Sequence, residues 1–329
     1  MSVDYSTNFT GGVTPDNYTP NTISDVGGMI GKIAHQVIRE VNADDRLAIF
    51  DKMPVDNGDT IEQAIVKLAE SYAYDKDGLN ALTRKNPEIA VRMFQDWTRA
   101  TFKQSVDIAQ IRKVLTTGKG ASELATKIVA SLNEGDKQEK YEALKSLLDQ
   151  STNHVGTQGF MVPYLGATAT DFVALQDGKV NYGEVLLHLR NMVSKMSYVN
   201  TSCNKAGLKR KTLKEDIVII MPYQLKNGID VEELSGVFNL DKAEIKDKIV
   251  EVDIPDFVDT GSSSYSGGKY NYIWVVDKNA ILAFTRLYEM VDQLNGDGLF
   301  WNYFLHVERM YGVSPLFDAM YLIVQTEAA

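Results

Sequence analysis

The hydrophobic period changes along this chain, and that change restricts the fold more than any other feature. Between Val106 and Tyr198 apolar residues recur at three- and four-residue spacing in four stretches, broken by a mixed segment at 151–180, whereas from Asp216 onward they mostly alternate or form short unbroken runs. A helix buries a stripe and a strand buries a face, so helices followed by strands predict an α+β fold. The clearest helix is Tyr182 to Tyr198, where Val185, Leu186, Leu189, Met192, Val193 and Met196 make one apolar face. Val106–Leu115, Ser122–Leu132 and Lys137–Leu148 carry shorter stripes, and Gly135 either ends a helix or kinks a longer one.

The β-rich part reads as Asp216 to Met221, stopped by Pro222, then Ile249 to Ile254. Tyr270–Val276 and Ala280–Phe284 are expected to pair around a turn at Asp277–Asn279, and Asp318–Val324 to form the last strand. Val231–Phe238 is a short helix candidate, Gly261–Gly268 a flexible loop, and Leu299–Tyr311 an aromatic-rich segment. There is no internal repeat.

The N-terminal part is less regular. Residues 1–28 are rich in Thr, Asn, Gly and Ser, and read as an extended arm or an unstructured tail. A helical stripe begins near Met29 and includes Ile33, Val37 and Val41. Between Thr60 and Tyr74, Ile61, Ala64, Ile65, Leu68, Ala69 and Tyr72 follow helical spacing after a candidate cap at Asp59, so the local pattern predicts a helix. From Glu88 the period falls to two, with Ile89, Val91, Met93 and Trp97 on one strand face.

Of the 329 residues, 44% are hydrophobic and 24% charged, which excludes disorder of the whole chain. Lys and Arg total 34 against 44 Asp and Glu, a formal net charge of −10. Such a balance argues against a general nucleic-acid coat but not against a surface that encloses DNA. Cys203 is the sole cysteine, so no internal disulfide forms and a reducing compartment is expected. No signal peptide is read at the N-terminus, and no apolar run is long enough to span a membrane.

Catalytic and ligand motifs are missing from the pattern. Gly31–Lys32, Gly118–Lys119 and Gly268–Lys269 all lack the flanking residues of a phosphate-binding loop. His35, His154, His188 and His306 have no metal-ligand spacing, and His188 reads as a histidine at the edge of a core. Asp44–Asp45 and Glu232–Glu233 read as solvated surface. Lys205 to Lys214 is the one local basic run, either a phosphate contact or a charged surface loop. No cofactor or metal is expected and no enzyme is read.

Two segments go further. Gly298, Leu299, Trp301, Asn302, Tyr303, His306 and Val307, followed by a last strand, resemble the C-terminal part of the major capsid proteins of phi29-like short-tailed phages. Ile217 to Phe257, through Val231, Leu234, Phe238 and Asn239, has that family's order of strand, short helix and strand. Pro54, Gly58, Thr60, Ile61, Glu62, Tyr74 and Asp75 resemble the opening of its extended loop. The resemblance implies an HK97-type capsid fold. Its parts would be an N-terminal arm (1–28), a helix (29–50), an extended loop (51–104), a peripheral domain of spine helix plus sheet (105–165 and 265–329) and an axial domain (166–264). The C-terminal immunoglobulin-like domain of some members is expected to be absent. The extended loop is usually a β hairpin in this fold, against the helix that local spacing predicts at 60–74.

The implied function is structural: a subunit assembling in the host cytoplasm, as hexamers and pentamers, into the icosahedral head of a virion around double-stranded DNA. Scaffolding and portal proteins are the further partners implied, with no membrane and no sequence-specific DNA contact. Residues 1–28 and 51–104 would carry the subunit contacts, with Tyr74, Ile89, Val91 and Met93 at the interface. Trp97 is either an interface anchor or an ordinary core tryptophan. Net negative charge would limit adhesion of DNA to the inner wall. An encapsulin-type compartment shell and a soluble α+β enzyme remain the alternatives.

Overall fold

The computed structural model describes residues 43, 45–56, 58–71, 74, 76, 84–107, 118–149, 171–229, 248–258, 268–298 and 300–328. The expected arm at 1–28, most of the helix at 29–50, the helix candidate at Val231–Phe238 and most of the 261–268 loop lie outside them. At the end of the 29–50 segment the described chain makes a 3-10 turn, Ala48–Phe50.

The first strands are β1 (Ile61–Val66), β2 (Ile89–Phe94) and β3 (Thr98–Asp107), followed by helix α1 (Gly118–Asp149). Next come β4 (Phe172–Val173), β5 (Leu175–Gln176), β6 (Lys179–Val180), α2 (Tyr182–Ser197), β7 (Ile217–Pro222) and α3 (Tyr223–Gly228). The remainder is strand: β8 (Ile249–Val252), β9 (Phe257–Val258), β10 (Lys269–Asp277), β11 (Ile281–Asn295), β12 (Phe300–Val313) and β13 (Ala319–Glu327). Two compact units emerge, one holding Phe102–Gly135 and Met290–Leu305, the other Ala43–Thr101, Asp136–Glu289 and His306–Ala329.

The larger unit is organised by a sheet in the order β4-β13-β10-β7-β8, with β9 added to β10. Alternation along its strands divides the core in two. Tyr270, Tyr272, Trp274 and Val276 of β10 face a cluster with Val218, Ile220, Tyr321, Ile323 and, from α1, Leu144 and Leu148. Ile273 and Val275 face the other way, onto Ile219, Met221, Leu322 and the apolar face of α2. A strand covered on both sides reads as a continuous apolar run, and β7 is buried at every position. All six residues of the predicted α2 face are buried. The helix starts where Asn181 accepts a hydrogen bond from Glu184 N at 3.2 Å and donates to the Glu184 carboxylate, a reciprocal cap. Where α3 ends, a Cβ on Gly228 would fall into the ring of Tyr182, so this close approach requires glycine.

Three expectations are corrected. Thr60–Tyr74 is not a helix: β1 pairs antiparallel with β2 from Ile61↔Phe94 to Val66↔Ile89. The β-branched Ile61, Ile65 and Val66 suit the pleat, and cross-strand pairing outweighs a helical stripe with no partner surface. Val106 and Asp107 end β3 rather than begin a helix. Finally, β10 and β11 do not form a hairpin, although the turn is there, with Asn279 N donating to Asp277 Oδ1 at 2.9 Å. Both edges of β10 are occupied, one by β13 and the other by β7 and β9. β11 therefore leaves for a second sheet, in the order β11-β12-β3. Gly135 lies inside α1, so it does not end a helix.

Candidate functional site

The β1–β2 hairpin is the candidate site. Residues opposite each other in an antiparallel ladder share a face, and the register puts Glu62, Ala64 and Val66 beside Met93, Val91 and Ile89. That face is open: Val66 is 61% exposed, Ile89 55%, Val91 47% and Met93 56%. Tyr74 and Leu68, beyond β1, are exposed as well. Four large apolar side chains on one face of a two-stranded ribbon do not stabilise the isolated chain, because nothing among the described residues covers them. Of the residues expected at the interface, Ile89, Val91 and Met93 are thus brought together, and Tyr74 is exposed elsewhere on the same arm.

Trp97 lies apart from that face. It follows the last residues of the hairpin and packs, half-buried, on a small cluster of Ile61, Phe94, Leu282 and Met310. The guanidinium of Arg286 stacks on its ring. Arg286 also donates to Glu308, which receives Arg99 at 3.4 Å. The bond from Arg286, reinforced by the charges of Arg286 and Arg99, holds the Glu308 carboxyl below the usual carboxylate range. On the next residue, Arg309 makes a two-pronged pair with Asp136 of α1, its Nη2 lying 2.8 Å from Asp136 Oδ2. The hairpin's base is thereby fixed by an aromatic, a charge pair and apolar packing together.

The residues carrying the sequence resemblance have structural positions. Gly298 closes the β11–β12 turn, its N–H donating to Asn295 Oδ1 at 3.1 Å. On β12, Trp301 and Tyr303 are half-buried, Asn302 is buried and accepts from Ser105 Oγ at 2.6 Å, and His306 Nδ1 lies 3.1 Å from Thr101 Oγ1. Both polar pairs join β12 to β3. Leu299 lies outside the described residues. His188 sits at the core edge as expected, with Nδ1 3.0 Å from Asp171 Oδ2. Burial pushes the Cys203 thiol up, which suits an inert core thiol. Among the described residues no group of His, Cys, Asp and Glu is arranged to hold a metal, and no helix is long and apolar enough to cross a membrane.

Charge networks are what the sequence reading missed. Asp45, taken as solvated, accepts from buried Lys140 at 2.6 Å, and Asp51 shares that ammonium. The basic run is not uniformly a surface loop: Arg210 turns inward to Asp277 at 2.9 Å, near Asp318 at 3.9 Å, and covers the Phe317 ring. Thr212 donates to Asp318 at 2.8 Å and Asn204 at 3.0 Å, so the two buried carboxylates are saturated. The available signal was alternation, since Leu208, Arg210 and Thr212 point in where Lys209, Lys211 and Leu213 point out.

The sequence model of the Phi29-like phage major capsid protein family matches residues 7–323. The major capsid protein of Bacillus phage GA-1 is 25% identical over 297 residues, covering 89% of this chain and 58% of that protein. The major capsid protein of Streptococcus phage Cp-1 is 23% identical over 316 residues, 91% of this chain and 82% of that one. The chain thus spans less than two thirds of the GA-1 protein's length but most of the Cp-1 protein's. In fold it resembles a chain of the Staphylococcus phage Andhra capsid, with TM-score 0.68 and 12% identity over 90% of this chain and 87% of that one. A chain of the Ralstonia phage GP4 capsid gives TM-score 0.54 at 10% identity, over 89% and 94% of the two chains. With a mixed α and β architecture shared with phage capsid chains, and a family match running nearly its full length, the chain belongs to the Phi29-like phage major capsid proteins.

Proposed function

We propose that this protein is the shell-forming subunit of a phage head, a structural protein with no catalytic step. The observation that carries the reading is the hairpin face of Val66, Ile89, Val91 and Met93, apolar and left exposed by the described residues. Covering such a face on a neighbouring copy converts an unstable surface into contact energy, and symmetry repeats the gain around a closed shell. Hexamers and pentamers enclosing double-stranded DNA, with scaffolding and portal proteins as transient and vertex partners, are the assembly this reading entails. The division into arm, extended loop, peripheral and axial domains of an HK97-type fold belongs to the same proposal, as does residence in the virion after assembly in the host cytoplasm.

Electron microscopy of particles formed by the full chain, with a nuclease-protection assay, tests it. Uniform icosahedral particles with protected DNA are expected. Small shells filled with other proteins instead of DNA would favour a compartment, and small soluble oligomers even with a scaffold co-expressed would overturn the shell reading.

A further inference from the structure

Acidic residues are spread along the chain with several gaps, of which residues 185–214 are the longest. Between Glu184 and Glu215 there is no Asp or Glu, so all 44 carboxylates fall elsewhere, while Arg190, Lys195, Lys205, Lys209, Arg210, Lys211 and Lys214 fall inside. The fold turns this gap into a surface. On α2 the outer stripe is Leu187, Arg190, Asn191, Ser194 and Lys195, continued by Tyr198, every one exposed. The chain then leaves the helix and returns as a short antiparallel ribbon, with Asn200 paired to Arg210 through reciprocal backbone hydrogen bonds of 3.0 and 3.1 Å. That register puts Val199 opposite Lys211. Alternation sends Arg210 inward to the buried aspartates and holds Lys209 and Lys211 outward, with Lys214 exposed beyond. Among the described residues Glu70 reaches this surface, at 4.0 Å from the Lys209 ammonium with both side chains more than half exposed, and the exposed Glu215 borders it next to Lys214.

We infer that this carboxylate-poor surface is a weak, sequence-independent contact for the phosphate backbone of double-stranded DNA. The inference rests on the shell reading and makes this face the DNA-facing one. Lysine content favours nucleic acid over a protein partner. Protein interfaces deplete lysine and favour arginine, yet the exposed cations here are Lys195, Lys205, Lys209, Lys211 and Lys214, with Arg190 alone as the exposed arginine. Phosphate contacts need only mobile point charges, because they position a duplex without reading bases. Removing carboxylates from the neighbourhood avoids repulsion of the same phosphates. The rest of the acidic chain then keeps adhesion weak, so packaged DNA is guided rather than fixed.

The test is binding of a random duplex of about 30 bp to the purified full chain, read by fluorescence anisotropy from about 50 to 200 mM salt. Wild type is compared with K209Q/K211Q/K214Q and with a charge-matched control, K67Q/K85Q/K179Q. Thermal unfolding establishes that each variant is folded. Each lost phosphate contact lowers the slope of log affinity against log salt by about 1. The surface variant should therefore lose up to about 3 in slope and roughly tenfold or more in low-salt affinity, while the control changes little. Equal losses in both variants, no duplex binding by wild type, or preference for an acidic peptide such as poly-glutamate over the duplex would each overturn the inference. Shell formation is scored separately by electron microscopy. Intact shells with an unchanged salt slope sink this inference and leave the shell reading standing, whereas absence of shells from wild type removes the shell reading itself.

Discussion

The guanidinium of Arg286 lies 4.5 Å from the centroid of the Trp97 ring. This pair ties the base of the hairpin to β11, since Trp97 lies three residues past the end of β2 and Arg286 lies on β11. Trp97→Ala removes the stacked cation–π contact and the ring's cover over Ile61, Phe94, Leu282 and Met310. The expected cost is about 2–3 kcal/mol in urea denaturation, against roughly 1 kcal/mol for Trp97→Phe, which retains an aromatic face. Equal stabilities for wild type and Trp97→Ala would show that the stack does not hold the base.

The exposed hairpin face predicts a variant that folds but does not assemble. In V91K/M93K, the ammonium introduced at position 93 would stand opposite Glu62 and the one at position 91 opposite Ala64, so the ladder keeps its register. Substitution at exposed sites changes chain stability by about 0.5 kcal/mol or less. Assembly is different, because each covered contact would bury the ammonium at position 91 with only Ala64 opposite it. A rise of at least about tenfold in the protein concentration needed for shells is expected, equivalent to about 1.4 kcal/mol per contact. Sedimentation and microscopy at matched concentrations check this, and normal shells from the variant would remove the face from the interface.

What was legible in the sequence follows from where the deciding interactions lie. The α2 face was readable because Val185 to Met196 sit within one element, and the runs of β7 and β10 were readable because both faces are covered. Thr60–Tyr74 misled because its helical stripe and its strand pairing are both compatible with the residue types, and the partner Ile89–Phe94 is distant in sequence. The turn at Asp277 was correctly located, yet pairing across it failed because β7 and β13 fill the edges of β10. At the candidate site, Ile89, Val91 and Met93 were legible from their period of two. Arg286 and Glu308 were not, since a charge pair between residues 22 positions apart leaves no periodic trace.

The buried cluster beneath the ribbon predicts a large effect from one surface-reading residue. Asp277 is 2% exposed and Asp318 fully buried, and Arg210 is the guanidinium beside both. Arg210→Met removes the guanidinium and leaves the two carboxylates only neutral donors, Asn279 on Asp277, Asn204 on Asp318, and a Thr212 hydroxyl between them. Removing one partner of a buried charge pair costs about 3–5 kcal/mol. Urea denaturation should show that loss for Arg210→Met and a smaller one for Arg210→Lys, which keeps the charge but not the fork. A loss below about 1 kcal/mol for Arg210→Met would mean the aspartates are satisfied without it.

Tyr311 makes the alkaline limit of the fold testable. Burial pushes its phenol up to about 12, with Asp136 and Glu139 adding to the rise and the Arg309 guanidinium opposing it. In the unfolded chain the same phenol ionises near the ordinary tyrosine value of about 10. Below that pH both states hold the proton and the group has no pH dependence. As pH rises from about 10 to 12 the unfolded state releases the proton first, so stability present at neutral pH is progressively lost across that window. A shift of about two units corresponds to at most about 2.7 kcal/mol, and to about 1–2 kcal/mol after discounting for the ring's partial exposure. Tyr311→Phe cannot ionise, so its stability should fall less steeply than wild type above pH 10, after any constant offset at pH 8. Urea denaturation at intervals from pH 8 to about 11.5 measures the difference. Parallel curves for the two proteins would show that the Tyr311 phenol titrates alike in both states and that burial of its ring does not limit the fold at high pH.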